Sequence, residues 1–194
     1  MKVTSSFKER VTKFAEGPYS TAWLSFFSFV EAAIFPIPPD VLLIAILTTK
    51  ESRRWVFYSL VTSISSVFGG VLGYFIGYSF FSLFGEQVIA FYGLEESFVK
   101  ISEVFQDGAF LSIFVSAFTP IPYKVFTIAA GVFEVNFFTF MLASLVGRSA
   151  RFFLVGLVMH VFGKRIGDAV YKRVNAISII IGIVIVGIAV LILK

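Results

Sequence analysis

Residues 31–45 read EAAIFPIPPDVLLIA, and residues 119–131 read TPIPYKVFTIAAG. Each stretch sets a Pro-x-Pro break and a formal charge in the middle of a run that otherwise suits the bilayer. Proline lacks a backbone N–H and clashes with the preceding turn, so neither run can continue as one helix. Backbone groups freed at membrane depth persist only where other protein or a water-filled cavity satisfies them. Ionisable side chains at that depth are costly and usually functional. A polar, broken element built twice into an apolar chain is therefore the feature that decides the fold.

The chain has 194 residues and a mean hydropathy of +0.93, which together predict a one-domain, all-α integral membrane protein. The first broken run covers 19–49. Its pieces before and after the prolines are about 14 and 9 residues, or roughly 21 and 14 Å of helix. Neither crosses a hydrocarbon core of roughly 30 Å, so the pair is either one kinked span or a re-entrant hairpin. A transmembrane helix follows over 55–84, with Gly69, Gly70, Gly73 and Gly77 on it. Small residues four apart let another helix approach closely, within one chain or between two copies in a homo-oligomer. An acidic amphipathic linker, 85–108, keeps Leu94, Phe98, Ile101 and Phe105 on one face and is expected on the membrane surface. The second broken run, 109–134, leads into a transmembrane helix over 136–162 that carries Arg148 and Arg151 well inside it.

The ends are simpler. Residues 1–18 alternate Val3, Phe7, Val11 and Phe14 with Lys2, Lys8, Arg10 and Lys13, the pattern of an amphipathic interfacial helix. That stretch lacks the apolar segment of a signal peptide, and none is expected. A basic loop, 164–175, precedes a C-terminal transmembrane helix over 176–194.

Charge chooses between kinked spans and hairpins. Full spans would put the basic 50–54 loop outside and the acidic 85–108 segment inside, against the excess of Lys and Arg in cytoplasmic loops. Two re-entrant hairpins reverse both placements. The expectation is a multi-pass cell-membrane protein (the inner or plasma membrane) with a cytoplasmic N-terminus.

Pairing each residue n with n+84 matches Pro36 with Pro120, Ile37 with Ile121 and Pro38 with Pro122. It goes on to match Val41 with Val125, Ile44 with Ile128 and Ala45 with Ala129; Pro39 completes the first break. The expected architecture is an inverted repeat of two Pro-broken re-entrant hairpins, each followed by a transmembrane helix, plus the C-terminal helix. Paired broken elements in inverted halves point to a transport site near the midplane. Asp40 stands where Lys124 stands in the second copy, and Arg148 and Arg151, three apart, share one helix face. Glu31 and Asp40 oppose Lys124, Arg148 and Arg151, a set with one cation in surplus to receive an anionic headgroup. The carboxylates are candidates for proton exchange, since burial raises their pKa. The structural alternative is that Asp40 with Lys124, or Glu31 with an arginine, simply locks the halves together.

Composition removes other classes. The chain has no cysteine and one histidine, His160, so disulfides, thiolate metal sites and a histidine relay are out of reach. No metal or other cofactor, no catalytic constellation and no nucleic-acid patch is expected; the protein reads as a non-enzyme whose partners are membrane lipids.

With those residues laid out, the chain resembles the DedA superfamily, also called the VTT or SNARE-associated domain family, and in particular its YqaA-like branch. The resemblance runs over about 19–163, through EAAIFPIPPD, GGVLGYFIGY (69–78), AFTPIPYKVFTIAAG (117–131) and GRSARFFLVG (147–156). It implies opposed re-entrant hairpins and movement of phospholipid or polyprenyl phosphate by a transporter, flippase or scramblase, often coupled to protons. By position it carries the family's acidic sites onto Glu31 and Asp40, and a basic site onto Lys124. It departs at Ala117, where DedA-proper members have an arginine; Arg148 and Arg151 are the candidates to supply that charge. Two other readings stand beside lipid transport: a proton-coupled small-anion transporter, and a membrane-integrity or assembly factor without flux.

Overall fold

The computed structural model describes residues 15, 17–34, 38–49 and 52–162. Most of the expected 1–18 helix, Pro36, the 164–175 loop and the 176–194 span lie outside them. All regular structure among the described residues is helical. In chain order it comprises α1 (Ser20–Ala33), α2 (Pro39–Thr49), a 3-10 turn (Ser52–Arg54) and α3 (Trp55–Phe80), which runs on through a π-helical turn (Phe81–Gly85). Then come α4 (Glu86–Tyr92), α5 (Glu95–Asp107), α6 (Ala109–Phe118), α7 (Tyr123–Val132) and α8 (Phe137–Phe162).

Two stretches, Trp55–Gly85 and Phe137–Phe162, are long and apolar enough to cross a membrane, at 31 and 26 residues. Helices α5 and α6 make a third candidate if read together, although they bend by 71° at Gly108. Helix α3 is largely built inside out, whereas α8 buries Phe140, Phe152 and Met159 beside its small residues. On α3 the buried face is small and hydroxylic, with Ser59, Thr62, Ser63, Ser66, Gly69, Gly70, Gly73 and Gly77, while Phe57, Leu60, Ile64, Phe68 and Phe75 are exposed. In lipid there is no gain from burying large apolar side chains between helices, so small residues that permit close packing take the interior.

Helices α1 and α7 pack on α3, whereas α6, α2 and α3 pack on α8. Each broken pair thus sends one helix to each long one. The glycine face of α3 is where α1 and α7 seat: a methyl at Gly69 would overlap the Phe29 carbonyl oxygen of α1, and one at Gly77 that of Ile128 on α7. Gly147 does the same for α8, lying against the Phe114 carbonyl and the Ala117 methyl of α6. Helix α2 is apolar on every side, and Val41 to Leu47 are all buried, as such a helix must be.

The linker helix α5 is half as embedded as its pattern suggests. Phe98 stacks on Phe81 at 4.9 Å, Phe105 meets Phe133 at 5.2 Å, and Gln106 Nε2 donates to the Phe133 carbonyl at 2.9 Å. Leu94 and Ile101, on the same predicted stripe, are exposed. Contact with the α7–α8 corner comes from Phe98, Phe105 and Gln106.

That corner closes by paired reverse bonds, Val135 N–H to the Ala130 carbonyl at 2.9 Å and Glu134 N–H to Gly131 at 3.1 Å. The same 6→1 and 5→2 pairing ends α4, where Leu94 bonds Ile89 and Gly93 bonds Ala90. Both motifs need a left-handed residue. Gly93 supplies it at φ 61°, but the α7 corner uses Glu134 at φ 51°. A side chain in that conformation costs about 1–2 kcal/mol. Glu134→Gly is therefore expected to stabilise the protein by about 1 kcal/mol, read as a higher midpoint of thermal unfolding in detergent. An unchanged or lower midpoint would mean the glutamate makes a compensating contact.

Candidate functional site

The site is made by the two helix breaks. Helix α1 ends at Ala33, and the Ile34 N–H still reaches the Val30 carbonyl at 2.9 Å before the backbone leaves helical geometry. Helix α6 ends likewise at Phe118, with Thr119 N–H on Val115 at 2.9 Å and the chain extended at ψ 173°. The restarts match across the 84-residue spacing: Val41 N–H reaches the Pro38 carbonyl at 3.4 Å, and Val125 N–H reaches Pro122 at 3.1 Å. Pro38, Pro120 and Pro122 lie within the breaks, and Pro39 opens α2.

A broken helix leaves carbonyls at its C-terminal end that need donors, and the end carries partial negative charge. Here both ends are served by cations from elsewhere in the fold. Lys124 Nζ, on α7, donates to the Ile34 carbonyl at 3.2 Å. Arg151 Nη1, on α8, donates to the Thr119 carbonyl at 2.6 Å.

The rest of the Arg151 fork goes to Asp40 in the first turn of α2, through Nη2 at 2.7 Å and Nε at 3.4 Å. A carboxylate at a helix N-terminus is already favoured by the dipole. The two-pronged contact fixes its geometry as well. One guanidinium thus ties the restart of the first broken pair to the break of the second. Three residues earlier, Arg148 Nη2 donates to Glu31 Oε2 on α1 at 2.6 Å. Arg148 is buried to 3 % exposure against 23 % for Glu31, and its guanidinium lies 4.2 Å from the Tyr123 ring centroid and 5.5 Å from that of Phe152. Cation–π contact on two faces compensates a desolvated arginine in part.

All five charged residues singled out in the sequence therefore meet around the breaks, but not in every pairing considered. Asp40 does not pair with Lys124. It pairs with Arg151, while Lys124 reaches across to the end of α1. Among the described residues no carboxylate forms a salt bridge with Lys124, so it is the surplus cation of the cluster. Ala117 is fully buried against Gly147, and no longer side chain fits between α6 and α8 there; Arg148 and Arg151 approach the second break from α8 instead. His160 stands apart from this network, stacked on Trp55 at 5.8 Å. Among the described residues no group of three or more His, Cys, Asp or Glu side chains is placed to hold a metal ion.

Several polar residues of the interior escaped the sequence reading, among them Tyr123 at the start of α7, Ser66 on α3 and Ser144 on α8, all buried. The signal for Ser66 was present. Ser59, Thr62, Ser63 and Ser66 run at three- and four-residue spacing into Gly69 and Gly73, extending the small-residue face by two turns.

Two long helices with apolar outer faces, two proline-broken helix pairs and an ionic cluster between them define a multi-helix membrane protein with a polar interior. The VTT domain matches residues 37–161, and the chain belongs to that family, the domain of the DedA proteins. A protein of Haemophilus influenzae, described as uncharacterized, is 36 % identical over 178 residues, covering 92 % of each chain. A Histophilus somni homologue, likewise uncharacterized, is 34 % identical over 190 residues, covering 95 % of this chain and 97 % of its own. A third, from the archaeon Methanocaldococcus jannaschii, is 29 % identical over 124 residues, or 63 % of this chain and 73 % of its own. No solved structure matches.

The Glu31–Arg148 pair gives a stability test. Removing one member of a buried pair strands the other charge and typically costs about 3–5 kcal/mol, whereas replacing both is far milder. Glu31→Gln is expected to lower the thermal midpoint in detergent strongly, and Glu31→Gln combined with Arg148→Met to recover most of it. Equal midpoints for Glu31→Gln and the parent would show that Arg148 does not depend on Glu31.

Proposed function

We propose that the protein is a membrane lipid transporter or scramblase, moving a phosphate-bearing headgroup (of a phospholipid or a polyprenyl phosphate) past the two helix breaks. The observation that carries the reading is Lys124. Both carboxylates are neutralised by arginines, and the remaining cation of the cluster is half-exposed beside the break with, among the described residues, a single backbone carbonyl as its partner. A phosphate oxygen is a stronger acceptor for an ammonium than that carbonyl. Family membership supports a transporter-like role, and the reading involves no covalent chemistry.

On this account the two broken pairs are re-entrant hairpins of an inverted repeat. The reciprocal packing of α1 and α7 on α3, and of α6 and α2 on α8, supports that architecture, as do the matched restarts at Pro38 and Pro122. Asp40 and Arg151 hold the hairpins in register. A second reading has its own observation: both carboxylates are already paired, which suits a charge lock in an assembly factor without flux. A proton-coupled carrier of a small anion would use the same lysine.

The test is translocation in proteoliposomes containing a headgroup-labelled phospholipid and a polyprenyl phosphate reporter, with Lys124→Gln and Asp40→Asn beside the parent. Protein-dependent lipid movement is expected. Lys124→Gln should slow it by roughly 10- to 100-fold, the worth of one charge-assisted hydrogen bond. Movement of neither lipid by folded protein would contradict the reading, and anion flux without lipid movement would select the small-anion carrier.

A further inference from the structure

Among the described residues, four buried side-chain polar atoms have no hydrogen-bond partner: Ser66 Oγ, Tyr123 Oη, Ser144 Oγ and Arg148 Nε. They come from three helices and converge. A methyl on Gly70 would strike the Tyr123 hydroxyl, so the phenol lies against α3 one turn beyond Ser66. Ser144 is one turn before Arg148 on α8, and its hydroxyl neighbours that of Tyr123 without completing a bond to it. Arg148 stacks on the Tyr123 ring at 4.2 Å and meets Glu31 through Nη2, not through Nε. All four residues are at least nine-tenths buried.

Leaving several donors unsatisfied in so dry an environment is far costlier than leaving one, because each has been stripped of water without replacement. The donor set restricts what could satisfy them. Arg148 Nε–H can only donate, whereas the three hydroxyls donate or accept. The occupant must therefore accept at least one bond and gains most if it can also donate. An anion is disfavoured, since Glu31 already neutralises Arg148. Apolar ligands satisfy nothing. A water molecule fits, and buried waters typically make about three hydrogen bonds to groups of this kind.

We propose that Ser66, Tyr123, Ser144 and Arg148 form an internal water-binding site behind the ionic cluster. Its water accepts from Arg148 Nε and exchanges hydrogen bonds with the three hydroxyls. This fixes the plane of the guanidinium, so that Nη2 faces Glu31 while the ring of Tyr123 supports it from below. The four side chains are positioning residues, and the site does not depend on what the protein transports.

X-ray hydroxyl-radical footprinting tests the site, because radicals generated from bound water oxidise the side chains beside it even in a protein interior. Phe140 is the reference, an equally buried ring among apolar neighbours. In folded parent protein Tyr123 is expected to be oxidised several-fold faster than Phe140. Ser66→Ala combined with Ser144→Ala, small changes at buried positions, should bring Tyr123 down to the Phe140 rate. Equal slow rates in the parent would overturn the site. Rapid oxidation of Tyr123 that persists in the double variant would overturn the assignment of its water to the serines. If the double variant does not fold, each serine is replaced singly and the same comparison applies, with an unaltered Tyr123 rate in both counting against the site.

Discussion

A guanidinium stays charged at any accessible pH, and two of them near the middle of a helix long and apolar enough to cross a membrane must find acceptors inside the protein. This requirement organises the interior. Arg148 and Arg151 on α8 are met by Glu31 from α1, Asp40 from α2 and the Thr119 carbonyl at the end of α6. All three acceptors belong to the broken pairs. An unbroken helix would offer no free carbonyl at Thr119, and a straight continuation of α1 would carry Asp40 away. The breaks and the cations complement each other: Arg151 and Lys124 satisfy carbonyls that the breaks leave free, and Glu31 and Asp40 neutralise the two arginines.

The same logic explains why many large side chains of α3 face outward. Attraction between helices in lipid comes from close backbone approach and from polar contacts, which favours glycine, serine and threonine at the seams. Hence Ser59 donates to the Phe152 carbonyl across α3 and α8 at 3.0 Å. Tyr74 similarly holds the α7–α8 corner through the Val135 carbonyl at 2.7 Å. These neutral contacts bring the two long helices and the corner into place, and the ionic contacts then fix the breaks against them.

Much of this could be read from residue order alone. Proline marks where a helix stops, the four-residue glycine spacing marks a close seam, and five charges in apolar surroundings mark a polar interior. Partner choice was not legible. Periodicity shows that Arg148 and Arg151 share a face, but not that Asp40 pairs with Arg151 while Lys124 turns to the Ile34 carbonyl at the end of α1. The hydroxyl stripe at Ser59 to Ser66 was also hard to see, because serine is common and its role depends on what packs against it. Glu134 gave no signal at all, since a left-handed helix end normally announces itself with glycine.

The account depends most on each broken pair entering and leaving on one side of the membrane. Accessibility measures this directly, because the chain has no cysteine of its own. Single cysteines would replace Tyr19, Arg53, Tyr92 and Asn136, four exposed positions flanking the two broken pairs, and intact cells would be treated with an impermeant thiol reagent. The account predicts that positions 92 and 136 are labelled together from outside while 19 and 53 are both protected. Labelling that separates 19 from 53, or 92 from 136, would make a broken pair a full span and contradict it.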